Sequence, residues 1–73
     1  MAQQYILPPR IVRRGEVLTR SGLRRSTLYE LISLGRFPRP FHLVPGGRAV
    51  GWLESDITEW ILSRKAASQG GAQ

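Results

Sequence analysis

The sequence predicts a mostly α-helical domain of three short helices with one small β-hairpin. Three observations lead to this class. Apolar residues recur at helical spacing in two segments, and a third, shorter segment carries the apolar pair Val17-Leu18. Gly22 and Gly35 each follow such a segment, where a left-handed residue commonly ends a helix. Between the second and third segments, apolar residues alternate on both sides of Pro45-Gly46-Gly47, which is typical of a hairpin.

The chain has 73 residues and no cysteine, so it has room for one compact domain without disulfide bonds. Residues 1–10 are predicted to form an extended N-terminal arm, because Pro8 and Pro9 oppose a helix. Residues 11–66 carry the apolar periodicity and form the predicted domain. Residues 67–73 offer nothing to bury and are predicted to be a disordered tail.

The first helix is predicted from Gly15 to Ser21. Val17 and Leu18 form its apolar side, and Glu16 lies in the first turn, where a carboxylate complements the helix dipole. A helix of about two turns is not stable alone. Packing against the rest of the domain must therefore hold this helix in place.

The second helix is predicted over residues 25–34 and is amphipathic. Leu28, Leu31 and Ile32 fall on one side, which we expect to face the core. Hydrogen-bonding side chains occupy the opposite side at i, i+3, i+4 and i+7 spacing, with an arginine on each flank: Ser26, Tyr29, Glu30 and Ser33, with Arg25 and Arg36. Joined to the first helix through residues 21–24, the pair is a helix-turn-helix candidate.

The hairpin is predicted over residues 41–52 and is called the wing below. Apolar side chains alternate along its two strands: Phe41, Leu43, Val50 and Trp52. Arg48 lies beside the glycines of the tip, where the backbone can approach a neighbouring surface closely.

The third helix is predicted to begin near Glu54 or Ser55 and to fade near Ala67. Its apolar stripe is Leu53, Ile57, Trp60 and Ile61. The two tryptophans, Trp52 and Trp60, are predicted to be core residues because of their spacing with neighbouring apolar residues. This helix is expected to serve as scaffold.

The charge balance points to a polyanionic partner. Basic residues number 11 against 5 acidic ones, which gives a net charge of +6 and a pI near 11.4. Almost all of the basic residues are arginines, whose guanidinium matches phosphate and guanine in a fixed geometry. Double-stranded DNA is therefore the first partner to consider. The sequence shows no membrane span and no secretion signal, so we expect a cytoplasmic, nucleoid-associated protein.

Catalytic and metal-site patterns are missing from the sequence. A single histidine, His42, and no cysteine leave no ligand set for a metal. Gly46-Gly47 is not followed by the Gly-Lys-Ser or Gly-Lys-Thr of a phosphate loop. The acidic residues near Glu54 crowd a helix start, where carboxylates stabilise the dipole. We therefore expect no enzyme activity and no cofactor.

Four segments, taken in order, resemble the AlpA family of phage and prophage regulators, which are relatives of MerR-like and excisionase-like winged-helix proteins. The segments are "EVL" at residues 16–18, "SGL" at 21–23, "RSTLYELISLGRFPRP" at 25–40 and "GRAVGWLESDI" at 47–57. The resemblance implies a DNA-binding domain whose second helix enters the major groove, while the wing touches the backbone or the minor groove.

By motif position, the resemblance implies that the DNA-contacting residues are Arg25, Ser26, Thr27 and Tyr29, with Arg39 and Arg48 after the helix. The sequence departs from the family pattern in two places. Arg24 stands where a capping serine is common, so the helix is expected to begin at Ser26 or to have its free N–H groups satisfied by a phosphate. Arg14-Gly15 stands where the family often has an apolar residue and proline, which weakens helix initiation and adds positive charge.

The predicted contacts divide into two groups. Backbone phosphates are expected to meet Arg13, Arg24, Arg36 and Arg48, and base edges to meet Arg25, Ser26, Tyr29 and Glu30. Glu30 is open to two interpretations, since it can accept from cytosine N4 or pair with Arg25 or Arg36. Thr27 is equally suited to a structural role. The full candidate set is Arg13, Arg24, Arg25, Ser26, Thr27, Tyr29, Glu30, Ser33, Arg36, Arg39 and Arg48.

The sequence thus predicts a winged helix-turn-helix protein that acts as a sequence-specific, double-stranded-DNA-binding transcriptional regulator of phage or mobile-element type. It is expected to bind as a monomer or to assemble cooperatively on DNA, with integrase or RNA polymerase as candidate further partners. An excisionase, which bends DNA beside an integrase to direct recombination, is the alternative. A protein-interaction adaptor whose polar helix face docks on an acidic partner is a third possibility.

Overall fold

The computed structural model describes residues 8–71 of the chain. The elements follow the order β1 (Ile11–Val12), α1 (Arg14–Ser21), α2 (Arg25–Ser33), β2 (Phe41–His42), β3 (Val50–Leu53) and α3 (Glu54–Gly71). The predicted class, three helices with a small hairpin, is confirmed. Leu53, predicted on the stripe of the third helix, is instead the last residue of β3.

The strands form one antiparallel sheet in the order β1-β3-β2. Phe41 pairs with Gly51 in the predicted hairpin, and Val12 pairs with Trp52 on the other edge of β3. Strand β1 is absent from the sequence-based prediction. Two residues are too few to show an alternating pattern, and β1 exists only because β3 offers it a hydrogen-bonding edge.

A small apolar core lies between the sheet and the helices. Its buried members are Val12, Val17, Leu28, Phe37, Trp52 and Ile57. Leu31 and Ile32 pack against this cluster, so the predicted inward side of the second helix does face the core. Trp52 is fully buried as predicted, whereas Trp60 is half-buried at the core edge.

The two tryptophans hold the segment that follows α2. Trp52 Nε1 donates to the carbonyl of Pro38 at 2.8 Å, and Trp60 Nε1 donates to the carbonyl of Arg36 at 2.8 Å. The ring of Phe37 lies 4.7 Å from that of Trp60, centroid to centroid. Residues 36–38 are therefore fixed against both the wing strand and α3, which sets where the wing leaves α2.

Glycines end both helices of the pair, as predicted. Gly22 caps α1 with a φ of 75°. After α2, Gly35 has a φ of 74°, its N–H bonds to the Ile32 carbonyl, and the Arg36 N–H bonds to the Leu31 carbonyl. This pair of bonds is a Schellman motif, which satisfies the last carbonyls of the helix.

The starts of α1 and α2 lack side-chain caps. Arg13 precedes α1 and Arg24 precedes α2, and neither side chain bonds to a backbone N–H of the first turn. Helix α2 nevertheless begins at Arg25, one residue before the Ser26 start that the missing cap suggested. Tertiary packing can stabilise a helix that has no side-chain cap, and Leu28, near the start of α2, is fully buried.

Helix α3 continues to Gly71, beyond the predicted end near Ala67. Residues 67–71 of the predicted tail are thus helical. Lys65, Ala66 and Ala67 have high helix propensity and no proline follows them, so propagation is not stopped where the apolar stripe ends. Residues 72–73 of the tail and residues 1–7 of the predicted arm lie outside the described residues.

An ion-pair network ties the start of the domain to α1 and α3. Arg10 bridges Glu16 at 3.1 Å and Glu54 at 2.7 Å. Arg20 reaches Glu54 at 3.4 Å and donates to Thr58 Oγ1 at 2.8 Å. The hydrogen bond to Glu54, followed by the charge of Glu16, raises the pKa of Arg10. This network was not predicted from the sequence.

Gly51 is expected to be intolerant of a side chain. A Cβ at this buried position would lie 2.8 Å from Ile11 Cγ2 and 3.0 Å from the Val12 carbonyl oxygen. Gly51→Ala is therefore expected to lower the free energy of unfolding by about 1–3 kcal/mol, because β1 must shift. Urea denaturation followed by far-UV circular dichroism measures the change.

Gly15→Ala is the matched control for this prediction. Gly15 lies in α1 and a Cβ there has no atom within 4 Å. Alanine at this helical site is expected to raise the free energy of unfolding by about 0.5–1 kcal/mol. Equal urea midpoints for Gly51→Ala and the wild type would show that β1 is not held against β3.

Candidate nucleic-acid interface

Helix α2 presents its polar side outward. Leu28, on the inner side, has no exposed surface, whereas Tyr29 is 42% exposed. The polar face, defined as Ser26, Tyr29, Glu30 and Ser33, is exposed throughout. The turn of residues 22–24 sets the angle between α1 and α2, and so the orientation of this face.

The candidate residues come from four parts of the chain. Arg13 precedes α1, a run of candidates lies in or beside α2, two arginines follow it, and Arg48 lies in the wing. Ten of the eleven are exposed: Arg13, Arg24, Arg25, Ser26, Tyr29, Glu30, Ser33, Arg36, Arg39 and Arg48. Thr27 is half-buried, which suits the structural role that the sequence left open for it.

In the part of the chain that the structure describes, the candidate arginines make no salt bridges. Arg10 and Arg20, which are not candidates, hold the salt bridges of the described residues. Within residues 8–71 none of the six candidate arginines makes an ion pair, so their charge is not compensated locally. The suggested pairing of Glu30 with Arg25 or Arg36 does not form, which leaves the Glu30 carboxylate exposed to solvent.

Ser33 is partly committed within its own helix. Its Oγ donates to the Glu30 carbonyl at 2.7 Å. A serine hydroxyl has one proton but two acceptor lone pairs, so Ser33 can still accept a hydrogen bond from a ligand. Its capacity to donate is used by the helix.

The tip of the wing is a tight turn. The Gly47 N–H donates to the Val44 carbonyl at 2.9 Å, and Gly46 has a φ of 76°. Proline at the second position and a left-handed glycine at the third define a type II turn. Arg48 follows directly and is exposed, so the wing carries its charge close to the tip.

A cleft joins the start of α1 to α2 and the wing. It has a volume of about 330 Å³ and is lined by Arg13, Arg14, Gly15, Tyr29, Arg48 and Val50. We call it the three-arginine cleft. Arg14 Nη1 donates to Tyr29 Oη at 3.3 Å across it. From the sequence, Arg14 was a departure from the family pattern that weakens helix initiation and adds positive charge, and it was not among the candidate DNA contacts. The doubled arginine at residues 13–14 was the available signal, but its proximity to Tyr29 depends on the fold.

Two further findings concern the described residues alone. In residues 8–71 no group of three histidine, cysteine or acidic side chains is placed to hold a metal ion. No helix of that part of the chain has the length and apolar character needed to cross a membrane.

A helix pair joined by a three-residue turn, followed by a hairpin and a third helix, defines a winged helix-turn-helix protein. Exposed arginines lie in and beside α2 and in the wing. The chain belongs to the AlpA family: the family described as "Prophage CP4-57 regulatory protein (AlpA)" matches residues 10–65. The resemblance seen in the four sequence segments is thereby confirmed.

Two relatives illustrate this membership. The chain is 44% identical over 66 residues to "Uncharacterized protein ORF88" of Enterobacteria phage P4, covering 90% of this chain and 73% of that protein. It is 33% identical over 60 residues to the "DNA-binding transcriptional activator AlpA" of Escherichia coli (strain K12), covering 75% of this chain and 84% of that protein. No solved structure matches the chain significantly.

Proposed function

We propose that the protein is a sequence-specific, double-stranded-DNA-binding transcriptional regulator of phage or mobile-element type. Helix α2 enters the major groove, and the wing lies against the backbone beside it. One observation carries the proposal: within residues 8–71, six exposed arginines without carboxylate partners lie in the helix-turn-helix, in the segments beside it and in the wing, and the polar face of α2 is exposed while its reverse side is buried. Unpaired positive charge clustered around an exposed polar helix face complements the phosphates of a duplex. A basic surface that only contacts water would not require this clustering.

The relatives support the same function. The Escherichia coli protein is named a DNA-binding transcriptional activator, and it shares a third of the aligned residues with this chain. The fold does not distinguish an activator from a repressor, because both kinds of regulator begin by binding DNA.

The side chains divide the binding between position and sequence. Arg13, Arg24, Arg36 and Arg48 contact phosphates and set the register of the protein on the duplex. The uncapped first turn of α2 leaves N–H groups available to a phosphate oxygen. Base edges meet Arg25, Ser26, Tyr29 and Glu30 on the exposed side of α2.

The protein acts in the cytoplasm on the nucleoid, as a monomer or as a cooperative assembly on neighbouring sites. Integrase or RNA polymerase is the further partner that such an assembly would contact. The proposal includes no catalytic step and no cofactor.

Arg25→Ala is expected to relax the sequence preference at one or two base pairs. A bidentate arginine–guanine pair discriminates against the wrong base by about 1–3 kcal/mol, which corresponds to roughly 5- to 150-fold. The measurement is selection of bound duplexes from a random pool, performed in parallel with the wild type and the variant.

Lys65→Ala is the matched control, since it removes one positive charge from exposed α3. It is expected to select the same sequences as the wild type. Identical selected sequences for Arg25→Ala and wild type would remove Arg25 from base contact. Circular-permutation gels on the selected site distinguish a transcriptional regulator from an excisionase. A strong DNA bend, together with an activity that depends on integrase, indicates an excisionase.

A further inference from the structure

The three-arginine cleft concentrates positive charge from separate elements. Arg13 and Arg14 come from the start of α1, Arg48 from the wing, and Tyr29 from the polar face of α2. Among the described residues, none of those that line the cleft is acidic. Three guanidinium groups around one cavity repel one another, and an anion placed among them would remove that repulsion.

The hydrogen bonds inside the cleft also favour an anion. Tyr29 Oη accepts from Arg14, so the phenol proton remains free to donate to a second group. The guanidinium of Arg14 has five N–H donors and uses one of them here. The remaining N–H groups of Arg14 and the phenol O–H of Tyr29 are hydrogen-bond donors. A ligand with several acceptor oxygens can accept from all of them together.

We infer that the three-arginine cleft binds one backbone phosphate of the DNA duplex, with Arg14 and Tyr29 as its binding pair. The inference rests on the proposed function, because α2 in the major groove brings the cleft beside the phosphate backbone. It adds Arg14 to the interface. It also gives Tyr29 a phosphate to contact in place of the base edge that the sequence predicted.

The single site has a structural consequence for recognition. Its lining residues come from α1, α2 and the wing, so one phosphate contacts all three elements at once. A phosphate held there sets both the depth of α2 in the groove and the position of the wing. Arg14 positions Tyr29 through their 3.3 Å contact.

The first test uses the wild type, three variants and the duplex selected by the wild type. Fluorescence anisotropy at several chloride concentrations gives the slope of log K against log[salt]. Arg14→Ala is expected to make the slope less negative, by up to about 0.9, the value for complete loss of one phosphate contact. Lys65→Ala, which loses the same charge from α3, is expected to keep the wild-type slope.

Tyr29→Phe separates a phosphate contact from a base contact. It removes the phenol proton without changing the charge, so the salt slope is expected to stay the same. Affinity is expected to fall about 10-fold, the loss of a hydrogen bond to a charged group. The selected base sequence is expected to match that of the wild type. A changed base preference in Tyr29→Phe would assign Tyr29 to a base and overturn the inference.

A second test locates the phosphate on the DNA. Neutral methylphosphonate linkages are introduced one at a time along the selected duplex. At one linkage the wild type is expected to lose about 10-fold in affinity, whereas Arg14→Ala loses little more. Equal losses for both proteins at every linkage would overturn the inference.

The phosphate site and the proposed DNA-binding function are contradicted by different results. Steep salt dependence in the wild type that Arg14→Ala fully retains overturns the phosphate site and leaves the proposed function standing. Absence of duplex binding by the wild type overturns both. Far-UV circular dichroism of each variant verifies the fold, which is expected to be intact because Arg14 and Tyr29 are exposed.

Discussion

Trp52→Ala is expected to lower the free energy of unfolding by about 3–5 kcal/mol, the cost of truncating a buried tryptophan. The side chain is 1% exposed and lies on the central strand of the sheet. Its loss leaves a cavity and deprives the Pro38 carbonyl of its indole donor. A core of this size rarely supplies more than about 3–5 kcal/mol, so the variant is expected to be largely unfolded.

The measurement is urea denaturation followed by circular dichroism at 222 nm. Leu62→Ala is the control, because Leu62 is 61% exposed on α3 and its truncation is expected to cost less than about 0.5 kcal/mol. Trp52→Phe keeps most of the volume and isolates the hydrogen bond to Pro38, at an expected cost of about 1–3 kcal/mol. Similar midpoints for Trp52→Ala and Leu62→Ala would contradict the core assignment.

The bond from Trp52 to Pro38 also matters for the proposed interface. Pro38 lies in the segment that leaves α2, and Trp52 lies on the strand that forms one side of the wing. Loss of this bond is expected to loosen the wing relative to α2 before the domain unfolds. In Trp52→Phe, DNA affinity should therefore fall even under conditions where the domain remains folded.

Affinity for duplex DNA is expected to fall steeply with salt. Contact with four to six phosphates gives a slope of log K against log[salt] of roughly −4 to −5. Raising the salt from 50 to 200 mM should then weaken binding by about 250- to 1,000-fold. The reason is that unpaired arginines displace counterions condensed on the duplex, whereas Arg10 and Arg20 already bind carboxylates.

Titration by fluorescence anisotropy at four or more chloride concentrations measures this slope. The double variant Arg24→Ala with Arg36→Ala is expected to make it less negative by about 2. Arg64 and Lys65 on α3 provide the control, since alanine at both positions removes equal charge outside the proposed interface. A wild-type slope near zero would contradict the electrostatic part of the proposed function.

Local signals predicted a large part of the fold. The glycines at positions 22 and 35 have the left-handed backbone that ends a helix, and Gly46 has the one required by the wing turn. The apolar spacing of α2 correctly identified Leu28 as buried. Each of these features depends on residues within a few positions of one another, which is why periodicity and turn chemistry reveal them.

Features that depend on distant residues were missed. Strand β1 pairs with β3, and Arg10 reaches Glu54 across 44 positions of sequence. Phe37, between two prolines and a helix end, has no periodic neighbours, yet it is buried against Trp60. The end of α3 was also misplaced, because helix propensity extends past the last apolar residue of its stripe.

The sequence by itself determined the two helices of the pair, the wing turn, the basic excess and the family, because these are properties of short segments and of composition. Only the tertiary structure decided which arginines are free. It pairs Arg10 and Arg20 with carboxylates and leaves Arg13, Arg14 and Arg48 together around Tyr29. Ion-pair partners are selected by distance in space, and chain order carries no direct record of that distance.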